Sequence, residues 1–194
     1  MLHSMLLRRT FYIITALGVA VACLQLATSL RYYGTKRSPA VDCPFCKADV
    51  IARQCYWEGT HCRALVNRLQ LSPGASLIIP KRHVERMEDL SSEEWDEIRR
   101  IIPIVQEVFV KAYGVEDFVL ALQNGSEAGQ TVFHSHMHML PRKELSAFQK
   151  LAFWVALLHD TVCGRGALTL QPSELEAQTI RFKVLLNESA KASH

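Results

Sequence analysis

Three histidines at alternate positions, His134, His136 and His138, have the clearest chemical potential in this sequence. Successive side chains of a β-strand point to opposite faces, so a strand through this segment would place all three imidazoles on one face. Neutral imidazole serves as a nucleophile and as a metal ligand near neutral pH. The pattern alone leaves three interpretations open: a catalytic site, a metal site, and a half-exposed strand whose imidazoles are merely satisfied.

The segment directly before the histidines predicts a glycine-containing turn. Gly125 and Gly129 lie there together with the polar residues Asn124, Ser126 and Gln130. Because glycine lets the backbone approach a ligand closely, the N–H groups of such a turn are suited to bind an anion. The turn therefore favours a phosphate site next to the histidines.

Two of the six cysteines, Cys43 and Cys46, form a Cys-x-x-Cys motif. Pro44 and Phe45 between them fit a tight turn with both sulfurs directed inward, as a tetrahedral zinc site requires. A redox pair and two unconnected thiols are the alternatives. No βαβ pattern follows to support the redox pair, so zinc is favoured, provided that two further ligands exist. His83 on its own is typical of a surface histidine.

The elements that must position these residues are strands and one long helix. Strands are predicted at residues 54–57, 63–67, 75–80 and 118–123, and a Pro-Gly turn at 71–74 joins two of them as an antiparallel pair. Apolar positions at helical spacing predict a helix that begins with a Ser91/Glu94 capping box and ends at Gly114. Pro103 predicts a kink or two helical pieces.

Two further helices are predicted beyond the histidines. One, within residues 147–158, has a very wide apolar face that suits burial against the core or a partner. The other is capped by Ser173 and Glu176 and reaches about Asn187.

Residues 1–41 differ in composition from the rest of the chain, with five basic residues and no acidic one. Residues 10–30 carry no formal charge over a length close to the ~20 residues that cross a bilayer. They predict a single N-terminal membrane anchor, in a mitochondrial or endomembrane location, with a cleaved signal or organellar presequence as the alternative. The remaining 17 basic against 19 acidic residues argue against nucleic-acid binding. The predicted regions are an anchor and linker (1–41), a catalytic domain (42–143) and a helical extension (144–194).

Four stretches together carry a family resemblance: HSHMHML, the longer run NGSEAGQTVFHSHMHMLPRK, ALVN, and IIPKRHVERMEDLS. They resemble the histidine triad (HIT) superfamily of nucleotide hydrolases and transferases, and within it the fragile-histidine-triad branch of dinucleoside polyphosphate hydrolases. Ser135 departs from the usual apolar residue. The resemblance implies an α+β, HIT-like fold: an antiparallel sheet with one long helix packed on it and C-terminal helices, here preceded by the predicted transmembrane helix.

The resemblance also implies a role for individual residues. A closed, structural Zn²⁺ site would be formed by Cys43, Cys46, His83 and His134. His136 would attack the α-phosphorus and His138 would contact phosphate oxygens. The implied substrate contacts further include Asn67 at the ribose, Gln130 at the phosphates, and Asn124, Gly129 and Thr131. Some branches have a histidine where this chain has Ala75, so no role is carried over to that position.

The implied function is hydrolysis of dinucleoside polyphosphates such as diadenosine triphosphate, through a covalent nucleotidyl-histidine. The alternatives are a nucleoside phosphoramidase or broader nucleotidyl hydrolase, and a membrane-tethered nucleotide-binding adaptor. A homodimer is expected by analogy with relatives. The expected partners are therefore a nucleotide substrate, a membrane and a second copy of the chain.

Overall fold

The computed structural model describes residues 40–144, 146–149, 151, 152, 155 and 168–192. Five strands in this part of the chain form one sheet, and every neighbouring pair is antiparallel, in the order β1-β2-β3-β5-β4. The strands are β1 (Cys55–Glu58), β2 (Cys62–Val66), β3 (Ser76–Pro80), β4 (Phe118–Leu122) and β5 (Met137–Pro141). The helices are α1 (Ala48–Gln54), α2 (Ser92–Tyr113) and α3 (Pro172–Ala192). The predicted α+β architecture with an antiparallel sheet is confirmed.

The predicted Pro-Gly turn joins β2 to β3 as an antiparallel pair. Gly74 has φ +91°, a conformation that favours glycine, and a Cβ at this position would collide with the ring of Tyr113. β3 lies in the middle of the sheet, and all five of its residues are buried. The strand that leads to Pro80 and His83 is therefore held on both sides and covered on both faces.

The two faces of the sheet are covered differently. Residues on one face, such as Ile78 and Met139, share a core with side chains of α2 and α3. Leu77 belongs to the other face, where Cys43 and Phe45 cover the sheet. His138 pairs with Leu77 across the β3–β5 ladder, so its side chain lies on this second face.

Helix α2 begins and ends as predicted. Ser91 Oγ accepts a hydrogen bond from Glu94 N, and the Glu94 carboxylate accepts one from Ser91 N, which completes the capping box. Gly114 closes the helix in the left-handed conformation at φ 64°. The helix runs through Pro103 as one element, and the kink stays a prediction.

Helix α3 begins at Pro172, one residue before the predicted cap, and extends to Ala192. Proline suits the first turn because its missing N–H would be unpaired there in any case. Gln171 N donates to the Glu174 carboxylate, so Glu174 takes the part that had been expected of Glu176. Helix α1 was not predicted at all.

The histidine segment differs from the predicted strand. Only His138 lies within β5, because the strand begins at Met137. Proline lacks an N–H, so Pro80 at the end of β3 cannot continue the ladder toward the earlier histidines. Ser135 N donates instead to Val84 O, 2.5 Å away, which leads the chain out of the sheet.

The membrane-spanning part of the predicted fold, and with it the membrane localisation, is wrong for this structure. No helix among residues 40–144 and 168–192 is long and apolar enough to cross a bilayer. Residues 10–30, for which the span was predicted, lie outside the described residues, as do half of the residues of the apolar helix predicted at 147–158.

The turn between β1 and β2 is fixed by a buried carboxylate on α2. The Glu97 carboxylate accepts hydrogen bonds from the backbone N–H groups of Thr60, His61 and Cys62, at 3.0, 2.5 and 2.5 Å. His61 O in turn accepts from Lys81 N, beside the Pro80 end of β3. These three hydrogen bonds to Glu97, here called the Glu97 clamp, therefore support the end of the sheet at which His134 and His136 lie.

Glu97→Ala is expected to lower the free energy of unfolding by about 3 kcal/mol, because three partly buried N–H groups lose their acceptor. Burial raises the pKa of Glu97, but the backbone donors of His61, Thr60 and Cys62 outweigh it and lower the pKa overall. The contribution is therefore present above the unfolded pKa and is lost as the pH falls through the lower folded value. Urea unfolding at pH 7 and pH 3 measures both effects. Equal losses at the two pH values would contradict the ionised clamp.

Candidate active site and metal site

Four residues distant in sequence bring their ligand atoms together at the edge of the second face. The Sγ and imidazole nitrogen atoms of Cys43, Cys46, His83 and His134 all lie within 4.8 Å of one another. Nδ1 of His134 is 3.5 Å from both sulfurs, and Nδ1 of His83 is 3.4 Å from Cys46 Sγ. Zinc–sulfur and zinc–nitrogen bonds at a tetrahedral angle give an S···N edge of ~3.6 Å. This Cys₂His₂ group can hold a metal ion.

The protonation of His134 is fixed by its surroundings. Its Nε2 lies 2.9 Å from the carbonyl oxygen of Pro80, and a carbonyl only accepts, so the proton is on Nε2. The Nδ1 lone pair is thereby left facing the two cysteine sulfurs, as in metal sites where a second hydrogen bond orients the histidine ligand. Burial lowers the pKa of His134 to about 4, which keeps the ring neutral.

The thiol of Cys43 is in a setting that suits a cation. Cys43 is 1% exposed, and burial raises the pKa of its thiol to about 11. A thiolate at this position therefore needs a positive charge beside it, which a metal ion supplies. Cys46, the other sulfur, lies on the exposed side of the cluster.

His136 has a different hydrogen bond and a different free atom. Its Nδ1 lies 2.7 Å from the carbonyl oxygen of His134, so Nδ1 carries the proton and Nε2 keeps its lone pair. The ring is 5% exposed and packs edge-on against Phe45 at a centroid distance of 5.3 Å. Burial lowers the pKa of His136, although its hydrogen bond to the His134 carbonyl opposes this shift. The ring is therefore neutral, oriented and able to act as a nucleophile.

His138 lies beside His136, with ring centroids 5.0 Å apart. Burial, and then the charge of His136, lowers the pKa of His138 to about 4. Its Nδ1 is buried and has no hydrogen-bond partner among the residues that the structure describes. The predicted contact of His138 with phosphate oxygens stays a prediction.

The side chain of Gln130 is used inside the protein. It is 1% exposed; its Oε1 accepts from Gly125 N at 2.7 Å, and its Nε2 donates to Glu85 O and Val132 O. Gln130 thus holds the glycine turn against the loop after β3. Its predicted contact with phosphate stays a prediction.

Asn124 is also engaged by the loop after β3. Its Oδ1 accepts from Met87 N at 3.0 Å, and its Nδ2 donates to the Glu88 carboxylate at 2.7 Å. Gly129 is half-buried and Thr131 next to the turn is exposed, so neither residue is removed from solvent in the way that Gln130 is. The substrate contacts predicted for these three residues are not tested by the structure.

Asn67 follows the end of β2, two strands away from His138 in the sheet. Its Oδ1 accepts from Leu69 N at 3.1 Å, while its buried Nδ2 has no partner in the described part of the chain. A free buried donor is what a ribose hydroxyl would satisfy. The ribose contact itself stays a prediction.

Several residues that shape the site were not predicted. Phe45 packs against both His134 and His136, at centroid distances of 5.8 and 5.3 Å. Pro80 supplies the carbonyl that orients His134. Phe45 had a signal, since it lies between two proposed ligands, whereas backbone acceptors leave no mark in a sequence.

Comparison with known proteins identifies sequence relatives of this chain. Adenylylsulfatase HINT3 from Arabidopsis thaliana is 37% identical over 105 residues, which cover 53% of each chain. Bis(5'-adenosyl)-triphosphatase from Dictyostelium discoideum is 42% identical over 85 residues, 42% of this chain and 54% of that protein. The chain spans about half the length of these curated relatives.

Structural comparison agrees on the fold. The crystal structure of Plasmodium falciparum diadenosine triphosphate hydrolase in complex with cyclomarin A superposes with a TM-score of 0.57 and 24% identity, over 70% of this chain and 78% of that one. The family model described as "HIT domain" matches residues 49–145, half of the chain. With the three histidines, the oriented His136 and the antiparallel sheet all in this region, the chain belongs to the HIT domain family.

Proposed function

We propose that this HIT-domain protein is a nucleotide hydrolase that cleaves dinucleoside polyphosphates at the α-phosphate. The observation that carries the proposal is the orientation of His136: Nδ1–H is held by the His134 carbonyl, and Nε2 is left with a free lone pair. The likeness to a bis(5'-adenosyl)-triphosphatase supports the choice of substrate class.

The proposed reaction has two displacements at the α-phosphorus. The Nε2 lone pair of His136 forms a P–N bond while the bond to the bridging oxygen breaks and the distal phosphates leave with its electrons. The ring then carries a positive charge, which the hydrogen bond from Nδ1–H to the His134 carbonyl stabilises. Water next attacks phosphorus, the P–N bond breaks back to Nε2, and the water proton is released with adenosine monophosphate.

The proposed metal is Zn²⁺ held by Cys43, Cys46, His83 and His134, in a structural role. Its four protein donors close the coordination sphere, so it would offer no open position to a substrate. The site would tie the turn before α1 to the loop after β3 and to the residue that positions His136. The homodimer expected from the resemblance remains a prediction.

A second candidate, cleavage of adenylyl sulfate, is favoured by the 37% identity to an adenylylsulfatase. Both reactions release adenosine monophosphate and differ in the leaving group. We expect the purified chain to have a kcat/KM for diadenosine triphosphate at least about 10-fold above the values for adenosine 5'-phosphosulfate and adenosine 5'-phosphoramidate. A 10-fold difference corresponds to about 1.4 kcal/mol of differential transition-state binding. A higher value for the phosphosulfate would move the assignment to the second candidate, and tight binding without turnover would favour an adaptor.

A further inference from the structure

A cation that no sequence motif assigns lies against the glycine turn. Nη1 of Arg86 is 2.6 Å from the position that a Cβ of Gly125 would occupy, and Gly125 itself has φ +104°. A side chain at residue 125 would displace the guanidinium. Glycine is thus required here for its conformation, and it also admits Arg86 to the surface of the turn.

Four backbone N–H groups of the turn are already engaged inside the protein. The N–H of Gly125 donates to the Gln130 side chain. The N–H groups of Ala128, Gly129 and Gln130 donate to carbonyls within the turn, at 3.1, 3.0 and 3.1 Å. With these four donors occupied, positive charge from a side chain would strengthen the binding of a phosphate at the turn, and Arg86 is a cation in contact with the turn.

Arg86 forms an ion pair with Glu88 through its Nε atom. Its Nε donates to the Glu88 carboxylate at 2.9 Å, and its side chain remains 41% exposed. The same carboxylate accepts from Asn124, and the hydrogen bonds from Asn124 and then Arg86 lower the pKa of Glu88 to about 2. Glu88 therefore stays ionised and orients the guanidinium, but the fork of Arg86 has donors beyond Nε to offer a ligand.

The loop that carries Arg86 is joined directly to the segment of His136. Val84 O accepts from Ser135 N, next to His136, and Glu85 O accepts from Gln130. Arg86 follows Val84 by two residues, which is at most ~7 Å of extended chain. The backbone segments that carry the nucleophile and the guanidinium thus lie next to each other, and Gln130 of the glycine turn bonds to the loop of Arg86.

We propose that Arg86 binds the leaving-group phosphates, beyond the α-phosphorus that His136 attacks, and so selects substrates with an anionic leaving group. The inference rests on the proposed function. Guanidinium matches phosphate in geometry and charge, and charge grows on the leaving oxygen as the bridging bond breaks. Exposed Glu127, also in the turn, is an anion that a bound polyphosphate must tolerate, which makes the Arg86 charge more necessary.

The test compares two substrates in one assay of adenosine monophosphate release. Diadenosine triphosphate has a charged leaving group, whereas adenosine 5'-phosphoramidate releases neutral ammonia. Arg86→Gln is expected to lower kcat/KM for the first substrate roughly 100-fold, the size expected for one lost transition-state donor. For the phosphoramidate the loss should stay below about 3-fold, because no charged leaving group is present. Arg86→Lys, which keeps the charge without the fork, should lie between wild type and Arg86→Gln.

Two further variants separate binding from a structural role. Glu88→Gln removes the counter-charge but keeps an amide oxygen that can accept from Arg86 Nε, and it should therefore retain or increase kcat/KM for diadenosine triphosphate. If it instead lowers kcat/KM equally for both substrates, residues 86 and 88 act through the fold of the loop and the proposal is wrong. Arg142→Gln removes one arginine charge just beyond the C-terminal end of β5, and it should leave kcat/KM for both substrates unchanged.

The outcomes also distinguish this inference from the proposed function. If wild-type protein cleaves neither substrate, the proposed function fails and the inference falls with it. If the wild-type protein cleaves diadenosine triphosphate, and Arg86→Gln lowers kcat/KM equally for both substrates or for neither of them, only the role of Arg86 is refuted. In the inactive His136→Asn background, Arg86→Gln should weaken binding of diadenosine triphosphate about 10-fold while adenosine monophosphate binds unchanged.

Discussion

His136→Asn is expected to lower kcat for diadenosine triphosphate by about 10⁴-fold or more while the dissociation constant changes only a few-fold. Asparagine is the matched replacement because its side-chain amide can still donate to the His134 carbonyl that holds Nδ1–H of the native ring. It has no nitrogen lone pair to form the P–N bond. The variant therefore removes the nucleophile without opening the site.

Single-turnover kinetics and titration calorimetry measure the two quantities separately. Rapid quenching of wild-type protein should also yield an acid-labile adenylyl group on His136, which the variant lacks. His61→Asn is the control: His61 takes part in the β1–β2 turn through its backbone N–H and carbonyl, which the substitution keeps, so the variant should keep wild-type kinetics. If His136→Asn retains turnover within about 10-fold of wild type, water attacks the substrate directly and the two-step path is refuted.

The sheet was predictable because its strands are bounded by local signals. The Pro-Gly turn before β3 and the Ser91 and Gly114 caps of α2 act through neighbouring residues alone, and each lies where the sequence indicates. The start of β5 was not predictable in the same way. It depends on Val84 and Pro80, residues some fifty positions earlier that pair with the histidine segment only in the folded chain.

The same division applies to the site. The Cys-x-x-Cys spacing predicts a metal turn, but His134 Nδ1 meets Cys43 across 91 residues, and only the resemblance identified that pair beforehand. Which nitrogen of each imidazole is free follows from the carbonyls of Pro80 and His134. Sequence spacing contains no information about those acceptors. The free nitrogen of each ring could therefore be identified only in the folded chain.

The Gln130 side chain has hydrogen-bond partners that the sequence did not indicate. The sequence suggests that polar residues around the glycines face the substrate. In the structure Gln130 is buried and closes the turn through Gly125 N and Glu85 O. A buried amide must satisfy its own hydrogen bonds, and here the nearest partners are backbone groups. That Gln130 also contacts phosphate stays a prediction, and Arg86 places positive charge beside the same turn.

Removal of the metal is expected to cost stability. Cys43→Ser should abolish binding of one zinc per chain and lower Tm by about 10 °C, which corresponds to roughly 4 kcal/mol in a domain of this size. The physical reason is that Cys43 and His134 are both buried, and a metal ion held by them would join the N-terminal turn to the segment that orients His136. Activity should fall as well, because the His134 carbonyl loses its fixed position.

Cys55→Ser is the matched control for this variant. Cys55 is also a buried thiol, its Sγ donates to Trp57 O at 3.1 Å, and a serine hydroxyl can make the same bond. It should keep one zinc per chain and lose no more than about 4 °C. A chelator should lower the Tm of wild type and Cys55→Ser but leave Cys43→Ser unchanged, since that variant has no metal to lose. Wild-type protein that is active, free of zinc by elemental analysis and indifferent to chelator would show that the four ligands hold together without an ion, and the structural role would then belong to the packing of Phe45 against His134 and His136.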